Sequence, residues 1–165
     1  MMLKIKEITD PNDPLIAGIV SMTVEFTDAS HIYQRLSFNT DKFHQYVLDH
    51  VNDPDAQCYA VHVGDTAVGY SLSFVDDMYI DKPNFEIVTM YSAKEFRGTR
   101  VGRMLADNLA EKMDELCCHY GQVSICCATE KDEHLINQLT ANLFKKRGFY
   151  EIGVILGRKG KQWDL

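Results

Sequence analysis

Apolar and polar residues alternate over Leu3-Lys4-Ile5-Lys6, the two-residue period of a strand with one buried face. Pro14 then opens a helix expected to run to about residue 26. Ile16, Ile19, Val20, Thr23 and Val24 fall on one side of it, and proline suits a first turn whose N–H has no partner. Residues 28–39 are polar and aromatic, without a period. Thr40 or Asp41 has the short polar side chain of an N-cap. Phe43, Val47 and Val51 then recur at spacing four and predict a second helix. Residues 57–63 and 66–74 read as a hairpin turning at Gly64-Asp65. Residues 85–92 are apolar with β-branched members and predict another strand. After a turn over residues 97–102, Leu105, Leu109, Met113 and Leu116 mark one face of a third helix. A short strand over 123–127 and a helix over 132–146 follow. Gly148 stands where a left-handed helix end favours glycine, and 150–158 is the last strand. The order β-α-α-β-β-β-α-β-α-β is a mixed α/β sheet protein. No repeat, low-complexity tract or linker divides it, so residues 1–165 are expected to form one domain.

Composition excludes several classes. No apolar run is long enough to span a bilayer, and MMLKIKEITD lacks the apolar core of a secretory signal. No membrane association is therefore expected. The formal net charge of −7 argues against a dedicated nucleic-acid binder, whose affinity would rest on paired phosphates. The five cysteines include two adjacent pairs, Cys117-Cys118 and Cys126-Cys127. Adjacent strand residues point to opposite faces, which works against a shared zinc ion. The six histidines show no H-x-x-x-H spacing, so no metal site is expected. Small buried thiols in a reducing cytoplasm account for the cysteines.

The turn Arg97-Gly98-Thr99-Arg100-Val101-Gly102-Arg103 joins a strand to a helix. Helix-start N–H groups, the positive end of the helix dipole and nearby guanidinium groups together favour an anion. The turn is neither a G-x-x-x-x-G-K-[ST] loop nor a G-x-G-x-x-G loop. It resembles the acetyl-CoA signature [QR]-x-x-G-x-[GA] of the GNAT (general N-acetyltransferase) superfamily. Arg97, Gly98, Val101, Gly102 and Leu105 fit its commonest form, R-G-x-G-[IV]-G-x-x-L, while Arg100 replaces the central glycine. Asn137, Leu143, Gly148 and Phe149 match the family's N-x-x-A-x-x-L-Y-x-x-x-G-F. There Thr140 replaces alanine and Phe144 replaces tyrosine. Gly69 and the Gly64-Asp65 turn also look like the family's hairpin before its fourth strand.

The resemblance implies an acyl-CoA N-acyltransferase fold and a cytoplasmic enzyme moving acetyl from acetyl-CoA to an amine within a ternary complex. It places the pantetheine arm along the backbone of Met90, Tyr91 and Ser92. The pyrophosphate then lies on Arg97, Gly98, Thr99, Arg100, Val101, Gly102 and Arg103, with Asn137 and Phe144 beside the cofactor. Glu86, 11 residues before Arg97, stands at the spacing of the general base in histone-type members. Phe85, Ile87 and Val88 flank it and would withdraw it from water. Phe144 has no hydroxyl to protonate the leaving thiolate; Tyr91, Ser92, Tyr150 or a water could replace it. These departures leave an alternative, an acyl-CoA-binding sensor or interaction module without efficient transfer. Homodimers are common in the family.

Resolved along the chain, the charge separates. Residues 9–55 hold eight acidic side chains against two basic, whereas six basic face two acidic after Asn142. The first part is the acceptor side of the resembled fold and the last flanks the cofactor. This polarity suits a small cationic amine, a polyamine, an aminoglycoside, or a lysine or N-terminal peptide, with an anionic donor. His31, Tyr33 and Phe38 fall where the family builds its acceptor wall.

Overall fold

The computed structural model describes residues 2–29, 37–76, 83–123 and 133–151, with the backbone alone for 133–137. The elements are β1 (Lys4–Glu7), α1 (Leu15–Ala29), α2 (Thr40–Asn52), β2 (Ala56–Val63), β3 (Thr66–Asp76), β4 (Asn84–Ser92), α3 (Val101–Glu115), β5 (Tyr120–Val123) and α4 (Glu133–Lys145). The strands form one sheet in sequence order. Every neighbouring pair is antiparallel except β4 and β5, which run parallel. The expected order of elements is present through α4. Most of the expected final strand lies outside the described residues, as do Cys126 and Cys127.

Helices cover both faces of the sheet. On one side, Leu15, Ile16, Ile19 and Met22 of α1 and Val47 of α2 meet Cys58, Ala60, Tyr70 and Leu72. On the other, Ala106 and Leu109 of α3 and Phe144 of α4 meet Phe85 and Ile87. Val101 and Leu105 close the same side over Val61 and Val68. No described helix is long and apolar enough to cross a membrane.

Several boundaries differ from the pattern-based expectation. Asp13 starts α1: its Oδ1 accepts the Leu15 N–H at 2.9 Å, and Pro14 occupies the first turn. Asn39, rather than Thr40 or Asp41, caps α2, its Oδ1 accepting the Lys42 N–H at 2.9 Å. The fifth strand begins at Tyr120, before the apolar run that announced it. His50 anchors α2 to the sheet. Its Nε2–H faces two carbonyls, Ser73 at 2.8 Å and Gln57 at 3.2 Å, which fixes the tautomer. Burial pushes its pKa down against those bonds, so the ring is neutral at physiological pH.

Gly69 sets the approach of α3 to the sheet. A Cβ there would lie 2.4 Å from Val101 Cγ1 and 3.0 Å from the Tyr91 carbonyl oxygen. The start of α3 rests on bare strand backbone. Gly69→Ala is therefore expected to destabilise the fold by about 1–3 kcal/mol through overpacking, read as a lower urea midpoint. An unchanged or higher midpoint would show that α3 shifts at no cost.

Candidate active site

The site is built on β4. Leu72 pairs with Thr89 and Ser73 with Ile87, so Val88 is an extra residue and forms a bulge. Val88 is 40% exposed. Past the bulge, residues 89–92 remain paired to β3. On the opposite edge, described pairing with β5 runs only from Asn84–Tyr120 to Ile87–Val123. Among the described residues, the backbone of Met90, Tyr91 and Ser92 thus borders no strand on that side. An extended ligand can add there as a strand would.

The side chains of this stretch divide between the two faces. Met90 packs with the α3 side of the core. Ser92 Oγ lies 3.9 Å from where a Gly102 Cβ would be. Tyr91 points toward α1, its ring 5.5 Å from Phe26 in an edge-on contact and 6.2 Å from Tyr70. Tyr70 is buried beneath it, its hydroxyl 2.5 Å from Thr23 Oγ1. Burial pushes the Tyr70 phenol up to about 12, which keeps it neutral.

The turn after β4 supplies donors. A 3₁₀ turn over Lys94–Phe96 precedes Gly98, whose φ of +74° is the left-handed conformation that requires glycine. Thr99 Oγ1 donates to the Phe96 carbonyl at 2.6 Å. The first intrahelical bond of α3 runs from Met104 N to the Arg100 carbonyl at 2.9 Å. The amides of Gly102 and Arg103 precede it and carry the unsatisfied donors of a helix start. Arg100 has φ −73° and ψ −13°, ordinary right-handed geometry, and its side chain is exposed. The backbone at this position therefore makes no demand for glycine.

Arg97, Arg147 and Lys145 are already engaged. Arg97 turns back from the turn: Nη2 donates to Tyr91 Oη at 2.7 Å, and its guanidinium carbon lies 5.3 Å from the centre of the Tyr91 ring. It ties the turn after β4 to the Tyr91–Phe26 contact on the α1 side of the sheet. Arg147 is bound to Asp107 and to the Leu143 carbonyl. Lys145 reaches Glu151 at 3.3 Å. The basic end of the chain therefore spends two of its charges on internal pairs; Arg158, Lys159 and Lys161 lie outside the described residues.

Glu86 is half-buried on the face opposite Phe85 and Ile87, which enter the α3 core. The expected apolar shielding by those two neighbours is corrected here: strand alternation turns them away from the carboxylate. Gln122 of β5 donates from Nε2 to Glu86 Oε2 at 3.1 Å. Glu86 looks toward α2, where burial first and the Glu86 charge second raise the pKa of Tyr46. Phe38, just before that helix, and Phe43 and Tyr46 on it form a ladder, with ring centres 5.8 and 6.3 Å apart. His31 and Tyr33 lie outside the described residues.

The last motif is a helix ending. Gly148 has φ +87°, its N–H bonds the Lys145 carbonyl, and the Phe149 N–H bonds the Phe144 carbonyl at 3.2 Å. The Phe144 and Phe149 rings meet edge-on at 5.2 Å, the apolar contact of a Schellman ending. Phe144, expected beside the cofactor, is only 2% exposed and belongs to the core. Leu143 extends toward the start of α3, its Cδ1 3.6 Å from a Cβ built on Gly102. Asn137 lies on α4, described by its backbone alone. No group of three or more His, Cys, Asp or Glu among the described residues is placed to hold a metal ion.

Pattern reading missed two contributors. Gln122 is 36 residues from Glu86 and carries no motif, and only the β4–β5 register reveals it. Tyr70 read simply as a strand residue.

No curated protein sequence matches the chain significantly. Solved structures share the fold at low identity. An aminoglycoside acetyltransferase, meta-AAC0020 from an uncultured soil metagenomic sample, has TM-score 0.69 and 15% identity over 96% of this chain and 97% of its own. The aminoglycoside enzyme AAC(6')-Iy, bound to a bisubstrate analogue, has TM-score 0.68 and 12% identity over 97% and 99%. A protein described as a transcriptional regulator, from Bacillus halodurans C-125, has TM-score 0.68 and 16% identity over 96% and 100%. The family model described as Acetyltransferase (GNAT) family matches residues 22–149, most of the chain. With the bulged β4, the glycine turn and the helix it opens, this match shows that the chain belongs to the GNAT acetyltransferase family.

Proposed function

We propose that the protein transfers acetyl from acetyl-CoA to a primary amine of a small cationic molecule or peptide, by direct attack in a ternary complex. The observation that carries this reading is the convergence of two sides on one strand. Past the bulge, β4 offers backbone that no described strand pairs on its β5 side, and the turn beyond it offers the Gly102 and Arg103 amides. On its other face β4 carries Glu86 toward α2. The donor set suits a pyrophosphate: several converging N–H groups, a positive helix end and little side-chain obstruction at Gly102.

The chain's part in the chemistry follows. Backbone groups of Met90, Tyr91 and Ser92 hold the pantetheine arm, and residues 97–103 hold the phosphates. Glu86 accepts the proton that the amine must lose to become a nucleophile. A β4 backbone N–H in the 90–92 stretch meets the oxyanion of the tetrahedral intermediate. We assign no side-chain acid to the departing thiolate. Phe144 has no hydroxyl and Tyr70 is buried against Thr23, while Tyr91 Oη accepts from Arg97 and keeps its own O–H, so nothing singles out one of Tyr91, Ser92, Tyr150 or a water. A thiolate is stable enough to leave unassisted.

Binding without transfer is the second reading, favoured by Phe144 standing where the family has tyrosine. Calorimetric titration with acetyl-CoA is expected to show binding. Incubation with a panel of amines is expected to release CoA, fastest with polycations and slower at high salt. Structural relatives described as aminoglycoside acetyltransferases place aminoglycosides in that panel. Because Cys117 is an exposed free thiol, CoA is best measured by chromatography. No heat with acetyl-CoA would overturn both readings. Heat without CoA release from any amine would leave only the second.

A further inference from the structure

We propose that Gln122 is a positioning residue that aims the Glu86 carboxylate at the acceptor amine, an inference that rests on the general-base reading of Glu86. The two residues are register partners in the parallel β4–β5 ladder and are both half-buried. Directly opposed side chains share a sheet face. Gly121 and Phe85, the preceding pair, lie on the other face, where Met113 crowds Gly121 and Phe85 joins the core. Glu86 and Gln122 therefore both lie on the acceptor face.

The bond between them has only one chemically sensible orientation. An ionised carboxylate offers no donor, so the amide must present its NH₂ group rather than its oxygen. The 3.1 Å contact from Nε2 engages Oε2 alone. Among the described residues, Oε1 has no hydrogen-bond partner, which leaves it as the oxygen that takes the proton. A glutamate on a strand has three side-chain torsions; without a partner it samples several rotamers. Gln122 removes that freedom at the last stretch of described β4–β5 pairing, two residues before the bulge. Positioning of this kind matters because proton transfer needs a heavy-atom separation near hydrogen-bond length.

The test is steady-state kinetics of Gln122→Met, which keeps the side-chain size and removes the donor. The acceptor is the amine giving the fastest CoA release in the panel. kcat is expected to fall about 10- to 100-fold, the cost of misplacing a reacting group. KM for acetyl-CoA is expected to stay within about twofold, because the donor turn is untouched. In a Glu86→Gln background the same change is expected to alter kcat by less than about twofold, since no base remains to aim. Gln122→Asn, shorter by one methylene, is the second variant; its amide falls short of Oε2 and the same losses are expected. Wild-type kcat in both variants would overturn the proposal. So would an equal loss with and without Glu86, which marks a purely structural role. Wild-type turnover by Glu86→Gln alone would instead sink the general-base reading, and this inference with it.

Discussion

Glu86→Gln is expected to lower kcat by about 10²- to 10⁴-fold, the range over which a positioned general base accelerates proton transfer. The change is conservative in structure. A glutamine amide oxygen can still accept the Gln122 N–H, and β4 keeps its pairing to β3 and β5. The α3 core gains and loses nothing, because Phe85 and Ile87 occupy that face. The melting temperature and the affinity for acetyl-CoA are therefore expected to match those of the parent protein. The pH dependence supplies the specific signature. Below about pH 10 an alkylamine is mostly protonated and must surrender a proton before it attacks. Above that pH a growing share of the amine is already free, and the deficit of the variant is expected to shrink. A rate–pH series for both proteins with one amine decides the matter. Equal turnover at every pH would remove Glu86 from the chemistry. A deficit constant across the range would make its role structural instead, and a rise in KM for the amine with kcat unchanged would make it a binding residue for the ammonium group.

The legibility of this molecule divides along a physical line. Whatever depends on local periodicity could be read from the chain. The apolar stripe of α3 places Leu105 and Leu109 in the core. The alternating hairpin turns at Gly64, whose φ is +57°, and Gly148 ends α4 in the left-handed region. What depends on register or on a partner distant in sequence could not be read. Adjacent residues of a strand look identical to a hydrophobicity scan whichever face they take, so Phe85 and Ile87 passed for neighbours of the Glu86 carboxylate. The bulge at Val88 arises from a mismatch with β3 and leaves no mark in β4 itself. Arg97 illustrates the same limit for long side chains. Its motif position places the backbone at the turn after β4, yet its guanidinium reaches Tyr91 on the α1 side of the sheet. Phe144 departs from the family pattern at a position where the ring is buried against Phe149. Its aromatic body is needed to finish the helix ending, and a hydroxyl is not. Even the cap of α2 follows this rule. Asn39, Thr40 and Asp41 are all good capping residues, and only the backbone entry angle selects the first.

A carboxylate at position 102 separates the role of the α3 start in stability from its role in binding, because the two respond with opposite signs. Gly102 lies in the first turn of α3, where a Cβ would meet Leu143 Cδ1 at 3.6 Å and Ser92 Oγ at 3.9 Å, ordinary contacts. Glycine in a helix costs roughly 0.5–1 kcal/mol relative to residues with a side chain. An acidic residue in a first turn gains a further 0.3–1 kcal/mol, roughly, from the helix dipole. Gly102→Asp is therefore expected to raise the urea midpoint slightly, or at least to leave it unchanged. Acetyl-CoA binding is expected to weaken by about 100-fold or more, since the new carboxylate claims the free amides and repels the pyrophosphate across a few ångströms. The repulsion is screened by salt only in part, because the phosphates would approach within a Debye length. Gly102→Ala provides the neutral comparison, with the gain in stability and a smaller loss of affinity. Calorimetry and urea denaturation on the same preparations read both effects. Undiminished acetyl-CoA binding by a stably folded Gly102→Asp protein would place the phosphates elsewhere, and the donor-turn reading would fall with it.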